Sequence, residues 1–274
     1  MEEPKFTWYF GYGSNMNQAQ LKSGKQISPL ESYPAHLDGW RLVFNLKPIL
    51  NAFGCMGNIR EDKDAVVHGV LHKFTLEDLE KMDKFEMTYK RVLLPVTTYD
   101  GKKIDANVYI IFPGHPQFGP DGSPSQRYKS ILLHGAKSSQ LKDEYIKFLD
   151  EVVVCPFDYD KMRVKNVPTR VLSREEVRND PMLFSFMGHV FDLSNFESVR
   201  QLFNASEFFR GKAREYVVLR LMPAEGDITP PPVPDKFTDM TESQLDFLDT
   251  WLHAMELEWP VVGTCPLPVD QTDE

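Results

Sequence analysis

Five runs of β-branched and aromatic residues dominate the first 112 residues of the chain. They are FTWYFGY (6–12), AHLDGWRLVFN (35–45), AVVHGVLHKF (65–74), KRVLLPVTTYD (90–100) and ANVYIIF (106–112). Side chains of these types fit a pleated, half-buried surface, so each run predicts a strand. Residues 75–86, after the third run, have the spacing of an amphipathic helix, with Thr75 as N-cap and Asp78 at the third helical position. The pattern predicts an α+β fold with few helices in this half.

The rest of the chain is predicted to be richer in helices. Four prolines within residues 113–124 mark a loop, and residues 126–152 then predict two helices broken near Gly135. Residues 155–168 lose all periodicity and form a candidate linker. Beyond it the sequence predicts a capped helix (169–180), a strand–turn–strand (182–194), an apolar run (214–222), a proline-rich spacer (230–234) and a final helix (241–258).

The net charge differs between the first and second parts of the 274-residue chain. The chain carries 31 Lys and Arg against 40 Asp and Glu, a net charge of −9, so nonspecific binding of nucleic acid, which needs clustered cations, is disfavoured. Residues 1–155 carry 19 basic and 19 acidic side chains, whereas residues 156–274 carry 12 and 21. Together with the linker, this asymmetry predicts two domains, 1–158 and 159–274, of which the second contains the proline-rich spacer.

The cysteines and the N-terminal residues predict the cellular compartment of the protein. Cys55, Cys155 and Cys265 are too few and too scattered for a disulfide framework or a zinc site, which favours a reducing compartment. The N-terminal MEEPKFTWYF lacks the basic segment and apolar core of a secretory leader, and no later window approaches ~18 uninterrupted apolar residues. These features predict a cytoplasmic protein with no membrane partner.

Two short segments are candidates for chemistry. Residues 12–16, YGSNM, lie where a strand passes into a helix, so their backbone N–H groups can converge on an anion or a carbonyl oxygen; the alternative is a turn chosen for its dihedral angles alone. Glu86 ends the predicted amphipathic helix between Phe85 and Met87, an apolar setting that suits a carboxyl group to proton transfer. A solvated surface glutamate is the alternative there.

Four blocks in this order resemble the γ-glutamyl cyclotransferase family. They are TWYFGYGSNM, AHLDGWRLVFN, VVHGVLHKFTLEDLEKMDKFE and PSQRYKSILLHGAKSSQL, and the resemblance covers roughly residues 6–150. It implies a mixed, β-barrel-like α+β domain. It also implies a lyase that cleaves small-molecule γ-glutamyl amides into 5-oxoproline and the freed amine.

The resemblance also implies the site residues. The backbone of Tyr12, Gly13, Ser14, Asn15 and Met16 would bind the γ-glutamyl group, Glu86 would be catalytic, and the Tyr128 hydroxyl would donate a hydrogen bond to the substrate. Met87 stands where the family carries glycine. Because the substrate's own amine attacks its own carbonyl, no protein nucleophile, metal or cofactor is needed.

Three further residues have open roles. Arg91 either orients Glu86 or pairs with surface acids. His68 and His72 are four apart in a strand-like run and so face the same side, but the run offers no third metal ligand, and a structural role is favoured over a metal site.

The second half resembles the cytochrome b5-like haem/steroid-binding module of the membrane-associated progesterone receptor family. Two blocks carry the resemblance over about residues 167–265, TRVLSREEVRNDPMLFSFMGHVFDLSNF and FTDMTESQLDFLDTWLHAMELEWPVVG. The family's haem-binding centre is replaced by RQLFNASEFFRGKARE, without paired histidines. We expect a smaller, degenerate α+β domain that binds no haem and serves packing, dimerisation or lid duty, in which His189 is structural.

The sequence leaves the biological substrate as a choice among alternatives. The chain resembles fungal cyclotransferases associated with the biosynthesis of epidithiodioxopiperazines such as gliotoxin, which implies removal of γ-glutamyl groups from a glutathione-conjugated diketopiperazine. Housekeeping turnover of γ-glutamyl dipeptides and glutathione is the second alternative. The third is a noncatalytic binding or scaffold protein. A homodimer stays open in each case.

Overall fold

The computed structural model describes residues 6–48, 50, 53–155, 168–197, 199–200, 213–219, 222 and 231–272. The described residues divide into two compact units. The N-terminal unit holds those up to residue 155 except Leu50, and the C-terminal unit holds the others. The predicted boundary at residue 158, most of the predicted linker and most of the RQLFNASEFFRGKARE segment lie outside the described residues.

The N-terminal unit is built on a closed barrel, which confirms the barrel-like α+β fold expected for this half. Its strands are β1 (Phe6–Gly11), β2 (Glu31–Leu46), β3 (Met56–Thr75), β4 (Lys90–Thr98) and β5 (Lys103–Ile110). They run in the order β1-β3-β2-β4-β5, and a parallel pairing of Tyr9 with Asn107 closes β5 onto β1. The neighbouring pairs β1–β3, β2–β3, β2–β4 and β4–β5 are antiparallel.

Strand β3 begins at Met56, well before the predicted residue 65. This part of the strand contains the charged run REDKD (60–64), and a charged composition does not predict a strand. Its residues pair with β2, where Glu61 lies opposite Trp40, and the Arg41 guanidinium lies 2.7 Å from the Asp62 carboxylate. Charged residues are stable in a strand when they face solvent and find a cross-strand partner.

Four helices accompany the barrel: α1 (Gln18–Lys25), α2 (Leu76–Phe85), α3 (Gln126–Ser138) and α4 (Asp143–Glu151). Thr75 caps α2 as predicted, because its Oγ1 accepts the Asp78 N–H at 3.0 Å.

The predicted helix break at Gly135 is wrong. Helix α3 continues through it to Ser138 and ends before Gln140, which has a left-handed φ of 54°. A Cβ at Gly135 would lie 3.0 Å from both the Asn17 nitrogen and the Met16 Cβ. The glycine therefore serves close packing of α3 on the segment after β1, and not helix termination.

The barrel is filled by apolar side chains that alternate along the strands. The fully buried ones include Phe10, Leu71, Val67, Val96, Val108 and Ile110. Gly69 of β3 permits the closest approach to β1, since a Cβ there would lie 2.4 Å from the Gly11 carbonyl oxygen and 2.8 Å from the Phe10 ring. This core fixes the carboxyl end of β1, from which the candidate site is built.

The C-terminal unit, taken by itself, combines helices with a small antiparallel sheet. The strands β6 (Leu183–Phe186), β7 (His189–Asp192) and β8 (Val261–Thr264) lie in that order, and the helices within the described part of this unit are α5 (Arg174–Asn179), α6 (Arg214–Leu219) and α7 (Glu242–Glu258). The predicted strand–turn–strand at 182–194 and the final helix are thus present. The cytochrome b5-like resemblance stays a prediction.

Aromatic rings form much of this second core. The rings of Phe184, Phe191 and Phe196 lie 5.7 to 6.3 Å from that of Trp259, which follows α7. His189 lies largely buried on β7, with its Nε2 3.7 Å from a Glu256 carboxylate oxygen. In the ranges described for both units, no helix is long and apolar enough to cross a membrane.

Candidate active site

A small cavity of about 40 Å³ opens beside the carboxyl end of β1 in the N-terminal unit. It brings together six of the predicted site residues from three distant parts of the chain. Its lining residues are Tyr9, Tyr12, Gly13, Ser14, Asn15, Gly57, Glu86, Tyr89, Tyr109 and Tyr128.

The loop after β1 tightens into a 3₁₀ turn, Ser14–Met16. The Met16 N–H donates to the Gly13 oxygen at 3.0 Å, and the Asn17 N–H donates to the Ser14 oxygen at 3.1 Å. The N–H groups of Ser14 and Asn15, at the start of the turn, have no acceptor inside it. The Ser14 backbone makes a hydrogen bond with the Tyr128 hydroxyl instead. Met16, also predicted to bind substrate, is placed differently, because its N–H belongs to the turn and its side chain is fully buried in the core.

His72 supports this loop from beneath. Its Nε2 lies 3.0 Å from the Asn15 carbonyl oxygen and its Nδ1 lies 2.8 Å from Ser32 Oγ. Burial lowers the pKa of His72 to about 4, so the ring is neutral at physiological pH. Since a carbonyl only accepts, Nε2 carries the proton and donates, and Nδ1 accepts from the Ser32 hydroxyl. His72 is therefore a structural support for the loop after β1.

His68 is likewise occupied within the fold. Its Nδ1 lies 2.7 Å from the Tyr99 hydroxyl, and burial, reinforced by the neighbouring His36, lowers its pKa to about 4. Among the residues that the structure describes, no group of three or more His, Cys, Asp or Glu side chains is arranged to hold a metal ion. The side chains of both histidines of β3 are thus engaged in hydrogen bonds within the fold, His72 with Asn15 and Ser32 and His68 with Tyr99.

Glu86 follows the last residue of α2 and is held at both ends of its backbone. Its N–H donates to the Met82 oxygen, and its carbonyl accepts the Tyr89 N–H, both at 2.9 Å. Met87, in the position where the family carries glycine, does not adopt a left-handed φ. The chain can therefore leave Glu86 without a glycine at this position.

The Glu86 carboxylate is paired inside the site. Its Oε1 lies 2.6 Å from Lys25 Nζ and 2.9 Å from Asn15 Nδ2. The side chains of Glu86 and Lys25 are only 14% and 15% exposed, so a solvated surface role does not fit. The expected apolar flank is only partly formed, because Met87 is 49% exposed. Lys25 and Asn15 enclose the carboxylate in its place.

Five tyrosines form the wall of the cavity. Burial, together with the nearby Glu86 charge, raises the pKa of Tyr9 and Tyr12 well above the ordinary value and that of Tyr128 to about 12. Burial likewise raises the pKa of Tyr89 and Tyr109. At neutral pH all five hydroxyls therefore keep their protons and act as neutral hydrogen-bonding groups.

Most of these hydroxyls are anchored to the fold. Tyr12 donates to the Tyr109 carbonyl, Tyr89 donates to the Gly57 carbonyl at 2.8 Å, and the Tyr9 hydroxyl accepts from Asn15 Nδ2 at 2.7 Å. Aromatic side chains anchored in this way give a rigid wall at low conformational cost.

Tyr128, the predicted donor to substrate, approaches from α3. Its hydroxyl accepts the Gly57 N–H at 3.2 Å, and a Cβ at Gly57 would lie 3.0 Å from the same oxygen. Because a hydroxyl is both donor and acceptor, accepting from Gly57 leaves its own proton to be donated elsewhere.

Arg91 is the counterpart of Asp83 and not of Glu86. Its Nη1 lies 2.9 Å from Asp83 Oδ2, and Asp83 Oδ1 accepts the Tyr109 hydroxyl at 2.7 Å. The alternative in which Arg91 pairs with an acid is the one observed. The cation on Glu86 is Lys25, which sequence reasoning missed together with Tyr9, Gly57, Tyr89 and Tyr109.

The N-terminal half matches a known family. Residues 9–130 match the family described as gamma-glutamyl cyclotransferase, AIG2-like. A gamma-glutamyl cyclotransferase of Aspergillus oryzae, aclK, is 26% identical over 174 residues, which are 53% of this chain and 63% of that protein. A gamma-glutamylcyclotransferase of Bos taurus is 29% identical over 160 residues, which are 55% of this chain and 80% of that protein.

A solved structure shares the fold. The crystal structure of a human protein described as uncharacterized superposes with a TM-score of 0.50 at 23% identity, covering 57% of this chain and 92% of that one. The similarity in fold is thus confined to about the length of the barrel unit, whereas the alignment with the Aspergillus protein spans less than two thirds of that relative.

Proposed function

We propose that this chain releases 5-oxoproline from γ-glutamyl amides. The premise is that residues 9–130 form an enzyme domain of the γ-glutamyl cyclotransferase type. One observation carries the proposal: Glu86, the turn residues Ser14 and Asn15, and Tyr128 line one small cavity. The reaction needs a proton acceptor, an oxyanion site and a donor within reach of one γ-glutamyl group, and these groups supply them.

The first step joins two ends of the substrate. Glu86 takes a proton from the α-ammonium, and the freed nitrogen lone pair attacks the γ-carbonyl carbon. A C–N bond forms, the carbonyl π electrons move to oxygen, and a five-membered tetrahedral intermediate results. Because both reacting groups belong to one molecule, the cavity only has to hold the γ-glutamyl chain in its folded conformation.

The second step releases the amine. The oxyanion accepts hydrogen bonds from the backbone N–H groups at the start of the 3₁₀ turn, where loss of one such donor typically costs about 3–4 kcal/mol of transition-state stabilisation. The intermediate then collapses as the bond to the leaving nitrogen breaks. Glu86 gives its proton to that nitrogen and then takes the second proton from the ring nitrogen. This second proton passes to the released amine, so the products are the neutral lactam of 5-oxoproline and an ammonium, and the carboxylate ends in its starting state.

The leaving amine defines the biological role, and we propose a glutathione-derived adduct in fungal epidithiodioxopiperazine biosynthesis. Support comes from the sequence resemblance to fungal members and from the Aspergillus oryzae relative, which is itself a γ-glutamyl cyclotransferase by name. The proposed compartment is the cytoplasm.

The C-terminal unit is proposed to be a degenerate cytochrome b5-like accessory module that binds no haem. Its sequence resemblance supports this, as does the position of His189, which faces Glu256 within the unit. An absorption spectrum of the purified protein tests the proposal, because a Soret band after haem addition would contradict it.

The cyclotransferase proposal is tested by offering γ-glutamyl dipeptides, glutathione and a bis-glutathionyl diketopiperazine side by side and detecting 5-oxoproline by mass spectrometry. We expect the adduct to give the highest kcat/KM. Preference for dipeptides or glutathione would favour housekeeping turnover, and release from none would favour a binding or scaffold protein.

Glu86→Gln tests the assigned base. It keeps the size of the side chain and removes proton transfer, so turnover should fall at least ~10²-fold while circular dichroism stays as in the wild type. The melting temperature should fall, because Lys25 loses the partner of a largely buried ion pair. Glu80→Gln, an exposed position on the same helix, is the matched control and should keep full turnover. Retained activity in Glu86→Gln would refute the assignment.

A further inference from the structure

We propose that Lys25 is a positioning residue that holds Glu86 by one carboxylate oxygen and leaves the other to face the substrate amine. The proposal rests on the proposed cyclotransferase function and deepens it. Lys25 lies at the end of α1, 61 residues before Glu86 in the chain, and lines no part of the cavity wall named above.

The carboxylate is held asymmetrically. Lys25 Nζ and Asn15 Nδ2 both bind Oε1, at 2.6 and 2.9 Å. Within the described part of the chain, Oε2 of Glu86 makes no hydrogen bond or ion pair. Two donors on one oxygen fix the plane of the carboxylate, and the second oxygen is the one with free lone pairs for a proton.

Lys25 is itself held in place. Its Nζ lies 5.4 Å from the centroid of the Phe85 ring and 3.6 Å from Met82 Sδ, both on the helix that ends at Glu86. A cation in the last turn of α1 is also favoured by the helix dipole. The ammonium therefore has a fixed position, which a flexible surface lysine would not have.

Asn15 both binds the Glu86 carboxylate and lines the cavity. It lines the cavity, is 6% exposed, and its Oδ1 is buried without a hydrogen-bond partner among the described residues. A buried acceptor without a donor is costly, and an α-ammonium group has three N–H donors. The ammonium can therefore satisfy Asn15 Oδ1 and Glu86 Oε2 together, provided that Lys25 keeps Oε1 turned away.

Removal of Lys25 should change the electrostatic environment of the Glu86 carboxylate. The Glu86 charge contributes to the raised pKa of five tyrosines, 9, 12, 89, 109 and 128, which are neutral at physiological pH. Asp83 nearby along the chain is paired with Arg91. Among the residues that the structure describes, Lys25 is the cation paired with Glu86, so its removal leaves that carboxylate without an ion-pair partner there.

The test compares Lys25→Met, Lys25→Gln and Lys25→Arg with the wild type, using 5-oxoproline release across the pH range. We expect Lys25→Met to lower kcat roughly 10- to 100-fold, the range for loss of a charge-assisted hydrogen bond, with KM changed little. The acidic limb of its pH–rate profile should move to higher pH, because the carboxylate loses a neighbouring positive charge. Lys25→Arg should restore most of both properties.

Lys22→Met is the matched control, since Lys22 is an exposed lysine in the same last turn of α1 and should leave kcat, KM and the pH profile unchanged. Melting curves identify any unfolded variant, and Lys25→Gln, which keeps a donor without the charge, replaces Lys25→Met if the latter does not fold.

Three outcomes would overturn the role of Lys25. The first is a wild-type pH profile in Lys25→Met. The second is a raised KM with unchanged kcat in that variant, which would make Lys25 a ligand of the substrate carboxylate. The third is failure of Lys25→Arg to restore kcat. Absence of 5-oxoproline from the wild type would instead contradict the proposed function itself, so the two failures are distinguishable.

Discussion

Acidification should weaken the barrel through His72. The ring lies on β3 beneath the loop after β1 and is fully buried, and its pKa is lowered by that burial from 6.5 to about 4. In the folded state it stays neutral, donating to Asn15 and accepting from Ser32. In the unfolded chain the same ring takes up a proton near pH 6.5, so acid favours unfolding.

The sign and size follow from linkage. Above pH 6.5 both states are neutral at His72 and its contribution to stability is fully present; it is lost as pH falls from 6.5 toward 4. The free energy of unfolding falls by about 1.4 kcal/mol for each pH unit in this window. The total is about 3 kcal/mol by pH 4, and about 2 kcal/mol is already lost near pH 5.

The assay is urea unfolding of wild type and His72→Gln near pH 7.5 and near pH 5, followed by hydrogen–deuterium exchange in peptides from β1 and β3. Glutamine keeps a donor for the Asn15 carbonyl and does not titrate. We expect the variant to be less stable than the wild type near pH 7.5. Acidification should cost the wild type about 2 kcal/mol more than the variant. An equal loss in both proteins would refute the reasoning.

Two further substitutions probe the structure around the site. Tyr128→Phe removes the acceptor of the Gly57 N–H, so we expect a loss of about 1 kcal/mol in the free energy of unfolding, measured by urea unfolding. We also expect a smaller fall in kcat than in Glu86→Gln, measured by 5-oxoproline release. A kcat as low as that of Glu86→Gln would contradict the second expectation. Gly69→Ala forces a Cβ to within 2.4 Å of the Gly11 oxygen and should destabilise the barrel by about 1–3 kcal/mol, while Val66→Ala, at a 43% exposed position of the same strand, should shift the melting temperature far less. Equal shifts in the two variants would show that the close approach of β3 to β1 does not limit that glycine.

Much of the barrel could be predicted because its signals are local. The β-branched and aromatic runs report the strands, and Thr75 with Asp78 reports the start of α2. The segment Tyr12–Asn15 and Glu86 could be singled out for the same reason, as a turn between strand and helix and a carboxyl group at a helix end.

Longer-range features were missed where the signal depends on a distant partner. The early part of β3 is a charged run until β2 is placed beside it. Gly135 resembles a helix terminator until the packing of α3 on Met16 and Asn17 is known. Both errors arise because burial and packing override local propensity.

The sequence by itself, through local patterns and the family resemblance, determined which groups were predicted to do chemistry: one carboxyl group at a helix end, the backbone N–H groups of one turn and, by the resemblance, one tyrosine at a helix start. The tertiary structure decided their electrostatics. It gave Lys25 and not Arg91 to Glu86, directed two donors to one carboxylate oxygen, and surrounded the pair with tyrosines that stay protonated. The physical reason is that charge interactions depend on distance and burial, and residues 61 positions apart acquire both only when the barrel closes.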